Sequence, residues 1–391
     1  MADIKTRAKE AAIAGLNFLV RTQNRDDMSA DFGRFPFIFD CAAGVTTCGT
    51  TSWTTGTCVD ALLAGYRFTG NADYLDAARR GVAYIKSLQY FCPLNPRVNG
   101  AMCENTPQSR GSHPRDGLTA AWGMLDWSQE TGDTDAFERA KLFAAWFMTE
   151  AMAKGFPYWT AHWDREVWTP NTVGSFHSGS AFFFYRLHAV TGDDRYLAPM
   201  RTILDHYNTR HLDADGVITV ILDRDTLEPL DNTERGAFAP RGWQIMHQYN
   251  DDFGALANLA GWKATGDASC RDGAVRFLKR MLATQRDDGG FGPAEWSVPS
   301  AAGPILTELH AAKALGIDLD AGAAVARAVD YLIGTQVRRE NDRADGAFLG
   351  FSGPNTYDLS DHLANARTGA YAIAGLLRVA GAVDPYYFFE A

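Results

Sequence analysis

An all-α fold, an (α/α)6 toroid, is predicted by a helix–corner–helix unit that recurs along the chain and by the alternating character of its two helices. The stretch 49–89 is the type of the unit. In Trp53 to Phe68 the side chains Val59, Leu62, Leu63 and Tyr66 recur at helical spacing, while Gly56, Ala61, Ala64 and Gly65 fill the other face, as a helix packed on several sides requires. Gly70 supplies a left-handed stop, Asn71 an N-cap, and Ala72 to Gln89 sets Arg79, Arg80 and Lys86 against an apolar stripe. The first helix is therefore an inner one and the second an outer one.

The same corner returns as Thr131-Gly132-Asp133, Thr191-Gly192-Asp193 and Thr265-Gly266-Asp267, with weaker equivalents at Leu315-Gly316 and Ala380-Gly381. Inner helices are expected at 53–68, 115–130, 176–190, 251–264, 303–315 and 364–380. Outer helices are expected at 4–23, 72–89, 134–153, 194–210, 268–285 and 321–336. Six such hairpins bury both helix sets by closing into a double ring. An open solenoid would need polar capping repeats, and neither end of the chain supplies one. A single toroid domain over 1–391 is the expectation. The loops leading into the inner helices, 24–52, 90–114, 154–175, 211–250, 286–302 and 337–363, are long and rich in Trp, Pro and Gly. Their face is where function is expected. One of them, Gly216 to Leu230, alternates in strand fashion around Asp223 to Thr226 and predicts a small β-hairpin.

Composition narrows the function. The 391 residues are 46% hydrophobic, ample for a core, and the formal net charge of -10 with no long Lys/Arg run argues against a nucleic-acid partner. The N-terminal stretch is an amphipathic helix broken by charges, so neither a signal peptide nor a membrane span is expected and the localisation predicted is cytoplasmic. Six cysteines form no CxxC and none has a His at ligand spacing. Cys41/Cys48 and Cys92/Cys103 fall in loops and would pair only in an oxidising compartment; free thiols are the expectation, with no metal and no cofactor.

The starts of the inner helices carry small polar clusters: His113-Pro114-Arg115-Asp116, Phe176-His177-Ser178, Tyr249-Asn250-Asp251-Asp252 and Asp361-His362. An acid there also offsets the helix dipole. Convergence on one axis gives the clusters a second meaning, because a carboxyl between aromatic walls can have its pKa raised and act as a general acid. Asp116, His177, Tyr249, Asp251 and Asp252 are the catalytic candidates. Trp53, Trp163, Trp168, Trp243 and Trp296, with Trp159, offer flat faces for a sugar ring or a hydrocarbon. Arg115, Arg241 and Arg367 are placed to clamp a substrate carboxylate, and His113 and His362 complete the expected wall.

Two resemblances follow. The stretch Ser52 to Leu75, SWTTGTCVDALLAGYRFTGNADYL, with HLDADGVITVILDRDTLEPL, resembles the six-hairpin glycosidases, especially the unsaturated glucuronyl hydrolases and their rhamnogalacturonyl relatives. The resemblance implies a carbohydrate-active enzyme cleaving an acidic oligo- or polysaccharide, with Asp116 of HPRDG as the proton donor. At the next inner helix, where those enzymes carry a second Asp, this chain has His177 in SFHSGSAFF. With Tyr249 and Arg neighbours, that residue suits a toroid polysaccharide lyase, in which a base removes the proton α to a carboxylate. The stretches AIAGLNFLVRTQ, RRGVAYIKSLQ, FLKRMLATQRDDGGFG and RAVDYLIGTQ resemble the QW repeats of terpene cyclases. That resemblance implies alkene protonation by Asp251, although a Gln ending an outer helix can equally bond to a neighbouring helix in any toroid. A non-catalytic toroid that binds a partner is the third possibility.

Overall fold

The Thr-Gly-Asp corners owe their recurrence to one hydrogen-bonded device. In each, the Thr hydroxyl donates to the carbonyl four residues back (Thr131 to Trp127, Thr191 to Leu187, Thr265 to Gly261) and accepts from the N–H of the Asp two residues on. The intervening Gly132, Gly192 and Gly266 take φ of 74°, 68° and 73°, a region open to glycine without a Cβ penalty. The carboxylates of Asp133, Asp193 and Asp267 then cap the next helical segment.

A computed structural model describes residues 3–48, 52–104, 111–152, 155–162, 167–169, 171–230, 241–294, 299–351 and 359–382. The outer helices are α1 (Ile4–Thr22), α3 (Ala72–Leu88), α5 (Thr134–Trp146), α7 (Leu197–His206), α10 (Ala268–Thr284) and α12 (Gly322–Gly334). The inner helices are α2 (Ser52–Thr69), α4 (Pro114–Thr131), α6 (Ser180–Thr191), α9 (Gly254–Thr265), α11 (Pro299–Ala314) and α13 (Ala366–Val379). Consecutive inner helices touch from α2 through α4, α6, α9 and α11 to α13, which packs on α2 again, so the ring closes. Closure depends on small residues at the crossings. A Cβ on Gly56 would lie 2.5 Å from the Thr119 carbonyl oxygen, and one on Gly303 would overlap the Tyr371 backbone.

Two expectations need correction. An unforeseen helix, α8 (Arg241–Tyr249), stands where 211–250 reads as a loop, and α9 begins at Gly254 because residues 250–253 form a turn. Similarly, Ser175–His177 is a 3-10 turn ahead of α6. The turn expected at Asp223–Thr226 forms, with Asp223 N–H donating to the Glu228 carbonyl. Its first arm, Ile221–Asp223, also pairs with Thr172–Gly174, a partner that lies in a different loop. On the long-loop face, Ile38–Asp40 pairs antiparallel with Leu359–Asn365, joining the first loop to the last across the seam of the ring. The expected His362 helix start is instead part of that strand. Cys41, Cys58, Cys92, Cys103 and Cys270 are free thiols. Among the described residues no helix is long and apolar enough to cross a membrane.

Candidate active site

Asp252 is the point on which the long-loop face converges. It sits in the 250–253 turn ahead of α9, where Asp252 and Phe253 both have left-handed φ, 51° and 69°, at a cost of about 1–3 kcal/mol each for non-glycine residues. The turn is held by its own groups. Asp252 N–H donates to Asn250 Oδ1 at 3.1 Å, and Ala255 N–H donates to Asp251 Oδ2 at 2.6 Å. Gly179 lets the start of α6 close on it, since a Cβ there would overlap the Asp252 carbonyl oxygen.

Two guanidinium groups and an imidazole, whose pKa burial lowers, reach the Asp252 carboxylate from three parts of the chain. Arg367, in the first turn of α13, donates to Oδ1 at 2.6 Å, and Arg115 of α4 donates to the same oxygen at 3.2 Å. His247 of α8 places Nδ1 3.0 Å from Oδ2. Burial raises the Asp252 pKa, but Arg367, His247 and Arg115 together outweigh it and hold the carboxyl well below the usual carboxylate range. Asp252 is therefore a fixed anion, poorly suited to donate a proton. Arg115 also donates to the Phe176 carbonyl and to the Thr119 hydroxyl, leaving it little freedom. Arg367 keeps its Nε buried without a partner in the described structure.

Aromatic rings wall this cluster. Arg367 lies over Trp53 at 5.6 Å from the ring centre and near Tyr371 at 6.0 Å, and Trp53 Nε1 donates to the Tyr371 hydroxyl at 3.4 Å. Trp243 stacks on Trp159 at 5.5 Å and tilts against His247 at 4.3 Å, with Phe176 edge-on to both tryptophans. Beside Arg115, the half-buried Asp116 in the first turn of α4 hydrogen-bonds the Glu104 side chain. Glu104 reaches the surface as a residue, yet its Oε2 is buried; burial first, then the Asp116 charge, pushes its pKa well above the usual range. Glu104 is thereby the acid of this contact that keeps its proton at neutral pH.

The other candidates divide. His113 is the N-cap position of α4, and Tyr249 ends α8, half-buried. His177 is fully buried between Phe156 and Phe176, and burial followed by Arg115 and Arg224 keeps it well below the usual imidazole range. Asp251, next to Asp252 in sequence, turns away toward Glu308 of α11, and burial raises it to about 6. His362 is exposed and pairs with Asp361 at 2.5 Å, outside the cluster, which corrects the expectation that it lines the site. Trp163 and Trp296 lie outside the described residues, as do the side chains of Trp168 and Arg241. Sequence reasoning missed His247, Glu104, Tyr371 and Glu308. Only His247 left a signal, one turn after Trp243 and within five residues of Asp252.

No protein-family model matches the chain, and no curated protein matches it. Solved structures do match. An unsaturated glucuronyl hydrolase specific for heparin aligns with a TM-score of 0.70 at 13% identity, over 96% of this chain and 97% of that one. Cellobiose 2-epimerase from Bacillus thermoamylovorans aligns with 0.70 at 13%, over 96% and 99%. An α-1,6-mannanase from a Salegentibacter species, in complex with α-1,6-mannotriose, aligns with 0.62 at 16%, over 97% and 99%. The chain has the (α/α)6 toroid fold. In this toroid, as the closed inner ring requires, the residues gathered at the N-terminal ends of the inner helices come from both ends of the sequence, Trp53 and Arg367 among them.

Proposed function

We propose that the protein is a carbohydrate-active hydrolase acting on an oligosaccharide that carries a carboxylate, with Asp116 and Glu104 handling the proton. The observation that carries this reading is the Glu104–Asp116 carboxyl pair, which sits beside the Arg115–Asp252–Arg367 cluster. The pair holds one proton between two acids, so it can give that proton to a leaving glycosidic oxygen as the C–O bond breaks. It can then take one from the water whose oxygen bonds to the sugar carbon. The two guanidinium groups face a single carboxylate, so the cluster retains positive charge for a substrate carboxylate. Trp53, Trp159 and Trp243 supply flat faces for the sugar ring. The structures similar to this one include proteins named for action on glucuronyl, mannosyl and cellobiosyl sugars, which favours the same substrate class.

A terpene cyclase would need a dry hydrocarbon cavity. The cavity between α2, α4 and α13 has a largely apolar lining of alanines and aromatic rings, but Asp60, Arg115 and Asp126 also line it, and those charged groups count against a hydrocarbon occupant. The test is incubation with uronate polysaccharides and with pre-cleaved oligosaccharides ending in an unsaturated uronate. Loss of the unsaturated chromophore or release of reducing ends is expected, and Asp116→Asn is expected to lower kcat by about 10²–10⁴-fold. A rise in the chromophore would identify elimination instead. Inactivity on the whole panel would sink the reading and favour a binding scaffold.

A further inference from the structure

Behind the site, a second pair of acids is completely enclosed. Glu308 lies in the interior of α11 with no exposed surface, and Asp251 is 1% exposed. Their side chains hydrogen-bond each other. The remaining contacts of Asp251 all go to the site's own framework: Ala255 N–H to Oδ2, Gly254 N–H to its carbonyl oxygen, and the Ser178 hydroxyl to that same oxygen at 3.0 Å. The groups facing the pair are the buried Tyr207 hydroxyl from the turn after α7, Arg276 of α10 beyond it, and the Asp252 carboxylate with Arg115, Arg367 and the His247 imidazole around it. Among the described residues no cation pairs with Glu308, and besides Asp251 its buried carboxyl meets the Leu256 N–H of α9. Two ionised carboxylates cannot occupy such a place, so one must be an acid donating an O–H to the other.

We infer that Glu308 is a positioning residue, held as a neutral acid that donates to Asp251 and so locks the 250–253 turn which presents Asp252 to Arg115, Arg367 and His247. The role of that cluster in binding a substrate carboxylate rests on the function proposed above; the lock itself does not. The turn has two consecutive left-handed residues that are not glycine, so it persists only if the surroundings over-determine it. Asp251 is where they do so, and Glu308 is the donor to the side chain of Asp251 that does not come from the turn's own backbone. The direction of titration agrees, since burial and then Asp251 push Glu308 well above the usual carboxyl range.

The test compares the full-length protein with Glu308→Gln, whose amide offers the same donor without a proton to lose, and with Glu308→Ala. Infrared spectra at neutral pH should contain C=O stretches of buried neutral carboxylic acids in the wild type, and Glu308→Gln should lose one of them while keeping that of the Glu104–Asp116 pair. Because the folded pKa is raised, the pair's stabilising effect is complete at low pH and fades as pH rises through the folded value. The wild-type melting temperature should therefore fall by several degrees as pH rises from about 4.3, the ordinary glutamate value, into the alkaline range, and Glu308→Gln should flatten that fall. Glu308→Ala should melt lower than Glu308→Gln at every pH or fail to fold. Neutral-acid bands identical in wild type and Glu308→Gln, or equal pH slopes in the two, would overturn the inference. Neither readout uses a substrate, so inactivity on uronates would count against the proposed function and leave this lock standing.

Discussion

Three imidazoles, His177, His206 and His211, gather around the Phe156 ring, with His206 stacked on it at 3.8 Å and His211 tilted against His206 at 5.3 Å. His211 Nδ1 donates to the Thr219 carbonyl at 2.6 Å, and its Nε2 is buried. Burial, with Arg210 adding to it, lowers His206 to about 4; burial, opposed by the Thr219 bond, lowers His211 to about 3. A histidine with a lowered folded pKa stabilises the fold above the unfolded value and loses that effect as pH falls through the folded one. Acid denaturation should thus set in below about pH 6.5 and deepen toward the folded values. His206→Phe keeps a ring against Phe156 and removes a titrating group. It should reduce the stability lost between neutral pH and about pH 5 by about 1 kcal/mol, discounted for partial exposure, as read by denaturation at the two pH values. Residues of this kind were hard to read in the sequence. Asp252, Arg115 and Arg367 announce themselves at the starts of inner helices, whereas Glu308 and Tyr371 sit inside helices whose pattern marks only a buried face. Their partners come from other hairpins, and no local spacing records that.

At the scale of elements, the Gln residues that resemble QW repeats do the same mechanical task four times. Gln23, Gln89, Gln285 and Gln336 each end an outer helix. Each donates through Nε2 to the carbonyls of a loop glycine and of the next outer helix: Gly33 and Ala77, Gly100 and Arg139, Gly289 and Ala324, Gly346 and Ala11. The glycines have φ of 90°, 97°, 90° and 85°, and a Cβ on any of them would strike the backbone of that next helix. The repeat is therefore legible as architecture because its cause is local. The same logic explains why helix ends were predicted closely, while α8 was missed in a loop whose Arg241, Trp243 and Tyr249 read as site residues. Gln336 is the member that bridges the last outer helix to the first. Gln336→Ala removes two buried hydrogen bonds, to the Gly346 carbonyl and to an Ala11 carbonyl that keeps its helical partner, so it should cost about 1–3 kcal/mol in urea unfolding. Loss much below that would mean that the seam is held by α1 and α13 packing alone.

For the whole molecule, ring closure and site assembly are the same event. The inner ring is sealed where α13 meets α2, and that seam carries Arg367 over Trp53. Asp252, from the middle of the chain, then ties α13 to α4 and α8 through its two oxygens. A buried carboxylate between two guanidinium groups is weak evidence of net stabilisation, since its desolvation opposes the attraction, but removing it strands two buried cations. Asp252→Ala should accordingly destabilise the protein by about 3–5 kcal/mol in equilibrium denaturation. The stranded charge should also create a demand for an outside anion. Free glucuronate should raise the melting temperature of Asp252→Ala more than it raises that of the wild type, and glucose, equal in shape but uncharged, should not. An equal response to both sugars would mean that the aromatic wall, not the guanidinium pair, recognises the ligand.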